Sequence, residues 1–295
     1  MNLPLYVALP GNDDMTQTLA RLSNGQTARL ECRDFPDGES YLRFGQDVRD
    51  RNIVLVCTLD HPNPKAMPLL FAARTARELG AARVGLVAPY LCYMRQDRRF
   101  RDGEAVTSRH FATLLSGAFD WLVTVDPHLH RYKALDEIYT IPARAARAGP
   151  LLARWIAAHV TQPFLIGPDV ESAQWVEATA RDCGAPFTVL RKERLGDRDV
   201  RIVAEFAPSY PGRTPVLVDD IISSGRTTLA VLDAVAPRFT HPPVVVATHG
   251  VMDQDAARAI ANAGATLVTT NSVPGRHGVI DVAPLLASAV ADLSG

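Results

Sequence analysis

The chain has 295 residues, of which 47% are hydrophobic and 21% are charged, and its formal net charge is −1 at pH 7. This composition excludes a disordered, a collagen-like and a coiled-coil protein. Because 31 basic residues are balanced by 32 acidic ones, general nucleic-acid binding is not expected. We also find neither an apolar run long enough to span a bilayer nor a secretory signal. We therefore expect a cytoplasmic protein that binds neither membranes nor nucleic acid.

The first half of the chain alternates short apolar strands with amphipathic helices. Its first segment, up to about Phe44, contains polar turns and is expected to hold an antiparallel hairpin. Apolar periodicity then predicts, in order, a strand, a helix, a strand, a helix and a strand, at residues 52–57, 67–79, 83–88, 107–115 and 121–125. Gly80 is expected to cap the first helix at its C-terminus, and Thr107 is expected to be the N-cap of the second.

The second half repeats this alternation after a stretch rich in Ala, Arg, Gly and Pro near 141–150. Helices are predicted at 151–159 and 172–183, and strands at 163–167, 187–190, 215–218, 243–248 and 266–269, with further helices between the later strands. Such alternation is typical of parallel sheets that helices cover on both faces. The expected fold class is α/β, with two domains that each contain a mainly parallel sheet. We place them at 1–145 and 146–282, with 283–295 packing back on the first.

The most specific motif follows the strand at 215–218. Two adjacent carboxylates, Asp219 and Asp220, precede a short loop of Ser, Gly and Thr residues that opens a helix. Backbone N–H groups and hydroxyls at a helix N-terminus bind phosphate, and the two carboxylates can bind sugar hydroxyls or Mg²⁺. A phosphorylated sugar satisfies both parts, whereas the structural alternative is a capped helix beside a solvated acidic pair. The loop residues are Ser223, Ser224, Gly225, Arg226 and Thr227.

Two polar motifs follow strands of the first half. Arg95, Gln96 and Asp97 begin an Arg-rich run after the strand at 83–88. They offer hydrogen-bonding groups for a nucleotide, and the neighbouring guanidinium groups can attract polyphosphate. His128 follows the strand at 121–125 in an Asp-Pro-His sequence. Each motif also has a structural interpretation, because an Arg-rich loop can be a solvated surface and a single His is often a hydrogen-bonding residue.

Together these motifs resemble those of the ribose-phosphate diphosphokinases. The segment at 216–228 is similar to the phosphoribosyl-diphosphate loop that this family shares with phosphoribosyltransferases. The motifs at 95–97 and 126–128 look like the family's ATP-binding segment and metal–ATP element, and residues 34–39 resemble a further family motif. Simple phosphoribosyltransferases lack these three elements. The resemblance runs from about Phe35 to Leu286, although Arg226 stands where these enzymes often carry Gly.

The resemblance implies transfer of the β,γ-diphosphoryl group of ATP to the anomeric hydroxyl of ribose 5-phosphate, with Mg²⁺ as the cofactor. It implies that Lys192 and Arg194, a Lys-x-Arg pair at the position of the family's catalytic loop, are catalytic. It assigns Mg²⁺ binding to His128 and Asp169, although Glu171 and Ser172 replace glycines that are common beside this Asp. The implied ATP-binding residues are Phe35, Asp37, Glu39, Arg95, Gln96, Asp97 and His128. The implied ribose 5-phosphate-binding residues are Arg194, Asp219, Asp220, Ser223, Ser224, Gly225, Arg226 and Thr227.

In this family the motif at 34–39 reaches the adenine of a neighbouring subunit, so the resemblance also implies a homo-oligomer, a dimer or higher. The chain length and the stretch at 270–281 look closer to the class III branch. Two other functions stay open at this point. One is a phosphoribosyltransferase, against which the two nucleotide motifs argue. The other is a non-catalytic regulatory member of the family, against which the presence of Lys192 and Arg194 argues.

Overall fold

The computed structural model describes residues 3–194, 200–203 and 210–294, and for 192–194, 200–203 and 294 it describes the backbone alone. The chain divides into two compact units, 1–147 with 282–295 and 148–281. Across the described ranges, no helix is both long enough and apolar enough to cross a membrane.

The first unit is built on a six-stranded parallel sheet. Its elements in chain order are β1 (Leu5–Ala8), α1 (Asp13–Leu22), β2 (Gln26–Ala28), β3 (Leu30–Asp34), β4 (Ser40–Phe44), β5 (Asn52–Val56), α2 (Asn63–Glu78), β6 (Arg83–Ala88), α3 (Thr107–Ser116), β7 (Trp121–Val125) and β8 (Ala143–Ala146). The strand order is β2-β1-β5-β6-β7-β8, and every neighbouring pair is parallel. Strands β3 and β4 form a separate antiparallel hairpin.

The central strands of this sheet are buried because both of their faces carry apolar side chains. Strands β5, β6 and β7 are almost continuously apolar, as expected where helices cover both sides of a parallel sheet. Gly85 on β6 lies in register with Trp121 on β7, whose indole is 2% exposed. A Cβ atom at Gly85 would lie 2.0 Å from the indole ring, so only glycine leaves room for it.

The second unit repeats this architecture. Its elements are α4 (Gly149–His159), β9 (Pro163–Gly167), α5 (Ala173–Cys183), β10 (Phe187–Val189), β11 (Arg191–Arg194), β12 (Val200–Val203), β13 (Thr214–Ile222), α6 (Arg226–Val235), β14 (Val244–Gly250), α7 (Gln254–Asn262), β15 (Thr266–Thr270) and β16 (Gly278–Ile280). Its parallel sheet has the order β10-β9-β13-β14-β15-β16. Strands β11 and β12 form an antiparallel hairpin outside it.

The last helix, α8 (Ala283–Ser294), packs on the first unit rather than on the second. It contacts α1 and the sheet strands β6, β7 and β8. The guanidinium of Arg83 donates a hydrogen bond to the Leu293 carbonyl oxygen, with an N–O distance of 3.1 Å. The chain therefore returns to the first unit after it has completed the second.

The α/β class and its mainly parallel sheets are confirmed, and several elements differ from the predictions in their bounds. The first segment holds the parallel strands β1 and β2 as well as the expected hairpin. The stretch at 141–150 is not a simple break, because it contains β8. Strand β13 continues to Ile222 instead of ending at 218. The apolar run at 215–218 predicts too short a strand, because the polar residues after it still pair through their main chain with β14.

The expected N-cap at Thr107 is also wrong. Val106 is the N-cap of α3, and Thr107 is the first helical residue. Its hydroxyl donates a hydrogen bond to the Oε1 atom of Gln96, at 3.2 Å, instead of capping the helix. A tertiary contact has thus replaced the local one.

Candidate functional site

The first candidate site lies on the loop that connects β6 to α3 and carries the predicted nucleotide-binding residues. Arg95 is exposed, Gln96 is partly exposed, and the Asp97 side chain is 5% exposed. The Asp97 carboxylate lies 3.6 Å from the Nε atom of Arg131, a residue to which the sequence pattern gave no function. Arg95 and Gln96 therefore offer accessible groups to a ligand, whereas the carboxylate of Asp97 faces Arg131.

Two buried hydroxyl groups lie beneath this loop. The Ser108 Oγ atom lies 3.1 Å from the Gln96 carbonyl oxygen, and the Tyr132 hydroxyl donates to the Asp97 carbonyl oxygen at 3.2 Å. The two hydroxyl oxygens are 2.9 Å apart. Sequence analysis missed both residues, because they are 24 positions apart and neither belongs to a motif.

Glu104 organises the Arg-rich part of the same loop. Its Oε2 atom accepts hydrogen bonds from the backbone N–H groups of Phe100, at 2.8 Å, and Arg101, at 3.1 Å. Its carbonyl oxygen accepts a bond of 2.9 Å from the Arg99 Nε atom, and the Arg98 guanidinium stacks 4.8 Å from the centre of the Phe100 ring. Glu104 therefore fixes the conformation of the loop that carries these guanidinium groups, through its carboxylate and its main-chain carbonyl.

His128 follows β7, the strand next to β6 in the sheet. Its ring stacks on that of His130, with 3.6 Å between the ring centroids and 21° between the planes. Sequence analysis assigned no function to His130. The carboxyl ends of adjacent parallel strands lie at one edge of a sheet, so His128 and the loop at 95–97 share an edge of the first unit.

The residues Phe35, Asp37 and Glu39 lie at the exposed turn of the β3–β4 hairpin. The Phe35 N–H donates to the Glu39 carbonyl oxygen at 2.7 Å, and the Glu39 N–H donates to the Asp37 Oδ1 atom at 3.2 Å. The Arg33 guanidinium lies 4.9 Å from the centre of the Phe35 ring and 4.2 Å from that of Tyr41. The Phe35 ring is still 42% exposed, which leaves an aromatic surface that a planar ligand could stack on.

The second candidate site is the loop between β13 and α6 in the second unit. Gly225 has φ of +70° and precedes Arg226, the first residue of α6. This left-handed conformation is easily adopted by glycine and rarely by other residues. The first N–H groups of a helix have no partners within the helix. Here the loop residue Ser224 and Thr227, in the first turn of α6, are both exposed beside them. This arrangement suits the binding of a phosphate group.

Asp219 and Asp220 belong to the end of β13 rather than to the loop after it. Burial raises the pKa of the Asp219 carboxyl well above its usual range, and the charges of Asp220 and, more weakly, Asp169 raise it further. The Asp219 Oδ1 atom accepts a hydrogen bond of 2.9 Å from the Asp220 N–H. Three carboxylates, two on β13 and one in the segment after the neighbouring strand β9, therefore interact. Hydroxyl donors or a divalent cation would relieve their repulsion.

Asp169 follows β9 and also has a structural role. Its Oδ1 atom accepts a bond of 3.3 Å from the Ser172 N–H, and its carbonyl oxygen accepts one of 2.6 Å from the Ser172 hydroxyl. Ser172, which departs from the family's common glycine, thus holds the turn. Glu171 beside it is exposed.

Lys192 and Arg194 lie on β11, where the backbone of Lys192 pairs with Ile202 and that of Arg194 with Val200. Their side chains lie outside the described residues. The catalytic assignment of both residues therefore stays a prediction that depends on the motif.

Comparison with known proteins agrees with the motifs. A family model described as the N-terminal domain of ribose phosphate pyrophosphokinase matches residues 5–118, and a phosphoribosyl transferase domain model matches residues 134–276. A ribose-phosphate pyrophosphokinase from Methanopyrus kandleri is 33% identical over 94% of this chain and 95% of its own. Another, from Sulfolobus acidocaldarius, is 29% identical over 92% of this chain and 94% of its own.

The crystal structure of phosphoribosylpyrophosphate synthetase from Mycobacterium smegmatis has the same fold. Its TM-score is 0.86 over 100% of both chains, with 24% sequence identity. The domain matches cover most of the chain in the order that the motifs predicted. The chain therefore belongs to the ribose-phosphate pyrophosphokinase family.

Proposed function

We propose that this protein is a ribose-phosphate diphosphokinase, which converts ATP and ribose 5-phosphate into AMP and 5-phosphoribosyl 1-diphosphate. The observation that carries this proposal is the presence of both family domains in one chain, at residues 5–118 and 134–276. A simple phosphoribosyltransferase has no use for the first of them. The family relationship, together with Lys192 and Arg194, also disfavours a purely regulatory member.

The first unit is proposed as the ATP-binding domain. Arg95 and Gln96 project accessible donors from the loop after β6, and the neighbouring Arg-rich segment carries the positive charge that a triphosphate requires. His128, at the same edge of the sheet, is proposed to contact ATP and its Mg²⁺. Asp97 would act by holding Arg131 and the loop, since its own carboxylate is buried.

The second unit is proposed as the ribose 5-phosphate-binding domain. The loop from Ser223 to Thr227 would hold the 5-phosphate at the N-terminus of α6. Asp219 and Asp220 would accept hydrogen bonds from the ribose hydroxyls or bind a metal ion. Asp169 is proposed as a Mg²⁺ contact, because the mutual repulsion of these carboxylates suits a cation.

The chemical step joins the anomeric hydroxyl oxygen of ribose 5-phosphate to the β-phosphorus of ATP. The bond from this phosphorus to the oxygen bridging to the α-phosphorus breaks, AMP leaves, and the hydroxyl proton is lost. Such a transfer depends on in-line positioning and on neutralisation of the phosphate charge. Lys192 and Arg194 are proposed to supply positive charge to the transferring group. Mg²⁺, when bound, would neutralise phosphate oxygens and orient them.

Assembly is a further part of the proposal. Phe35, Asp37 and Glu39 lie on an exposed hairpin turn, where they could contact the adenine of a neighbouring copy. The active form would then be a homodimer or a larger homo-oligomer, as a two-fold contact lets each subunit complete the other's site. Size-exclusion chromatography with light scattering at the assay concentration tests this, and a fully active monomer would contradict it. A class III-like subclass and a cytoplasmic location stay predictions.

The activity itself can be tested with purified protein, ATP, Mg²⁺ and ribose 5-phosphate. We expect AMP and 5-phosphoribosyl 1-diphosphate to form in equal amounts, and no AMP to form when ribose 5-phosphate is omitted. Absence of AMP under all conditions would refute the proposed function. Formation of nucleotide from 5-phosphoribosyl 1-diphosphate and a free base would instead indicate a phosphoribosyltransferase.

A further inference from the structure

A buried pair of hydroxyl groups links the two loops that carry the proposed nucleotide-binding residues. Ser108 is 1% exposed and Tyr132 is 7% exposed. Tyr132 follows His128 by four positions, and Ser108 lies in the first turn of α3. Their oxygens lie 2.9 Å apart, although the residues belong to segments that follow different strands.

Both hydroxyls bond to main-chain carbonyl groups of the exposed loop above them. Tyr132 donates its proton to the Asp97 carbonyl oxygen at 3.2 Å. The Ser108 hydroxyl donates to the Gln96 carbonyl oxygen at 3.1 Å, and in its contact with the Tyr132 hydroxyl either oxygen can be the donor. The Gln96 carbonyl oxygen also accepts the Ser108 N–H at 3.4 Å. The two buried hydroxyls thus fix the backbone at Gln96 and Asp97, two consecutive residues that are predicted to bind ATP.

We propose that Tyr132 and Ser108 are positioning residues for ATP, an inference that rests on the proposed function. A buried hydroxyl pair is costly unless its hydrogen bonds are formed. Here, besides the bond within the pair, the hydroxyls bond to the carbonyl oxygens of Gln96 and Asp97. Residues 98–103, which follow Asp97 in the same loop, are exposed, so apolar packing gives this part of the loop little rigidity. The pair holds the loop in one conformation and connects it to the segment after His128.

This arrangement predicts a specific kinetic effect. Without the Tyr132 hydroxyl, the Asp97 carbonyl loses a donor and the loop samples other conformations. ATP binding is then weakened in proportion to the fraction of molecules that keep the competent loop. One net hydrogen bond of ordinary strength corresponds to a loss of about three- to tenfold. Binding of ribose 5-phosphate, assigned to the other unit, should change little.

The experiment compares Tyr132→Phe and Ser108→Ala with a matched control, Tyr139→Phe. Tyr139 is also buried, at 3% exposure, but its hydroxyl has no hydrogen-bond partner among the residues that the structure describes. ATP affinity is measured by calorimetry without ribose 5-phosphate, and both KM values are measured at steady state. Thermal melting reports the stability of each variant.

We expect Tyr132→Phe and Ser108→Ala to weaken ATP binding about three- to tenfold, with KM for ribose 5-phosphate within about twofold of wild type. Tyr139→Phe should bind ATP like wild type. The double variant should lose less than the product of the single losses, because both residues act in one network.

Two results would overturn the inference while leaving the function intact. One is a Tyr132→Phe variant that melts earlier but binds ATP normally, which would make the pair structural only. The other is an equal rise in both KM values. If the wild-type protein itself forms no AMP, the proposed function fails instead, and this result is distinct from the first two.

Discussion

Replacement of Glu104 by Ala should weaken ATP binding although this residue belongs to no motif. Its carboxylate accepts the N–H groups of Phe100 and Arg101 at 2.8 and 3.1 Å, and its carbonyl holds Arg99. The substitution removes both carboxylate bonds, so the guanidinium groups of the loop lose their fixed arrangement. Phe100 and Arg101 are exposed to solvent. Water can therefore replace part of each lost hydrogen bond, and the free-energy cost of losing them should be at the low end of the range for bonds to a charged group.

We estimate a loss of about 1–2 kcal/mol in the free energy of the competent loop conformation. If ATP binding requires that conformation, its KM should rise about five- to thirtyfold. The effect on KM for ribose 5-phosphate should be small, because its proposed site lies in the other unit. Global stability should also change little, since residues 98–103 of the loop, next to Glu104, are exposed.

Two variants make the test specific. Glu104→Gln keeps an oxygen that can accept both N–H bonds but loses the charge, so its KM for ATP should lie between those of wild type and Glu104→Ala. Asp102→Ala removes a carboxylate from an exposed position on the same loop and should leave KM for ATP unchanged. Steady-state kinetics with varied ATP decide the matter. An unchanged KM in Glu104→Ala, or an equal rise in Asp102→Ala, would refute the reasoning.

Four further outcomes are expected. Lys192→Ala should lower kcat at least about a hundredfold with smaller changes in KM, and Lys192→Arg should recover part of the loss; near-normal turnover of Lys192→Ala would disprove the catalytic assignment. Thr227→Leu should mainly raise KM for ribose 5-phosphate, whereas a rise confined to KM for ATP would place the phosphate elsewhere. Asp219→Asn should abolish activity yet raise Tm. Because burial raises the pKa of Asp219 in the folded state, folding opposes its ionisation at any pH above the ordinary Asp value of about 4. The gain in Tm of Asp219→Asn should therefore be small near pH 4 and grow as the pH rises; a constant gain would argue against a raised pKa. Gly85→Ala should destabilise the fold by about 3 kcal/mol in urea denaturation, because the new methyl group would overlap the indole of Trp121, and an unchanged midpoint would contradict that packing.

Local patterns predicted most of the sheet strands. Strands β6, β7 and β9 have the predicted bounds, because a buried parallel strand must be apolar on both faces and is therefore conspicuous. Strand β1, which lies between β2 and β5, and the edge strands β2, β8 and β16 were not predicted. An edge strand has one neighbour and can carry polar or small side chains, so the apolar signal is weak there.

The candidate site was predicted unevenly for a similar reason. The Ser/Gly/Thr motif between β13 and α6 is contiguous in the sequence and was therefore recognised, and Gly225 there is left-handed; phosphate binding by this motif stays a prediction. Asp97 was expected to accept a hydrogen bond from a nucleotide, yet its carboxylate is buried beside Arg131. The motif indicated that the loop matters and did not indicate which way each side chain points.

The sequence by itself determined the α/β alternation, the motifs after the strands and the family, since each of these is encoded in residues that are close together in the chain. Only the tertiary structure decided which groups support those motifs. The Ser108–Tyr132 pair and the Arg131–Asp97 contact each join residues from segments that follow different strands. The pKa of Asp219 is raised mainly by burial and by the adjacent Asp220, and further by Asp169, which follows the neighbouring strand β9. These interactions between segments exist because β6 lies beside β7 and β9 beside β13. Such neighbours follow from the order of strands in the sheet, which no local pattern of apolar and polar residues specifies.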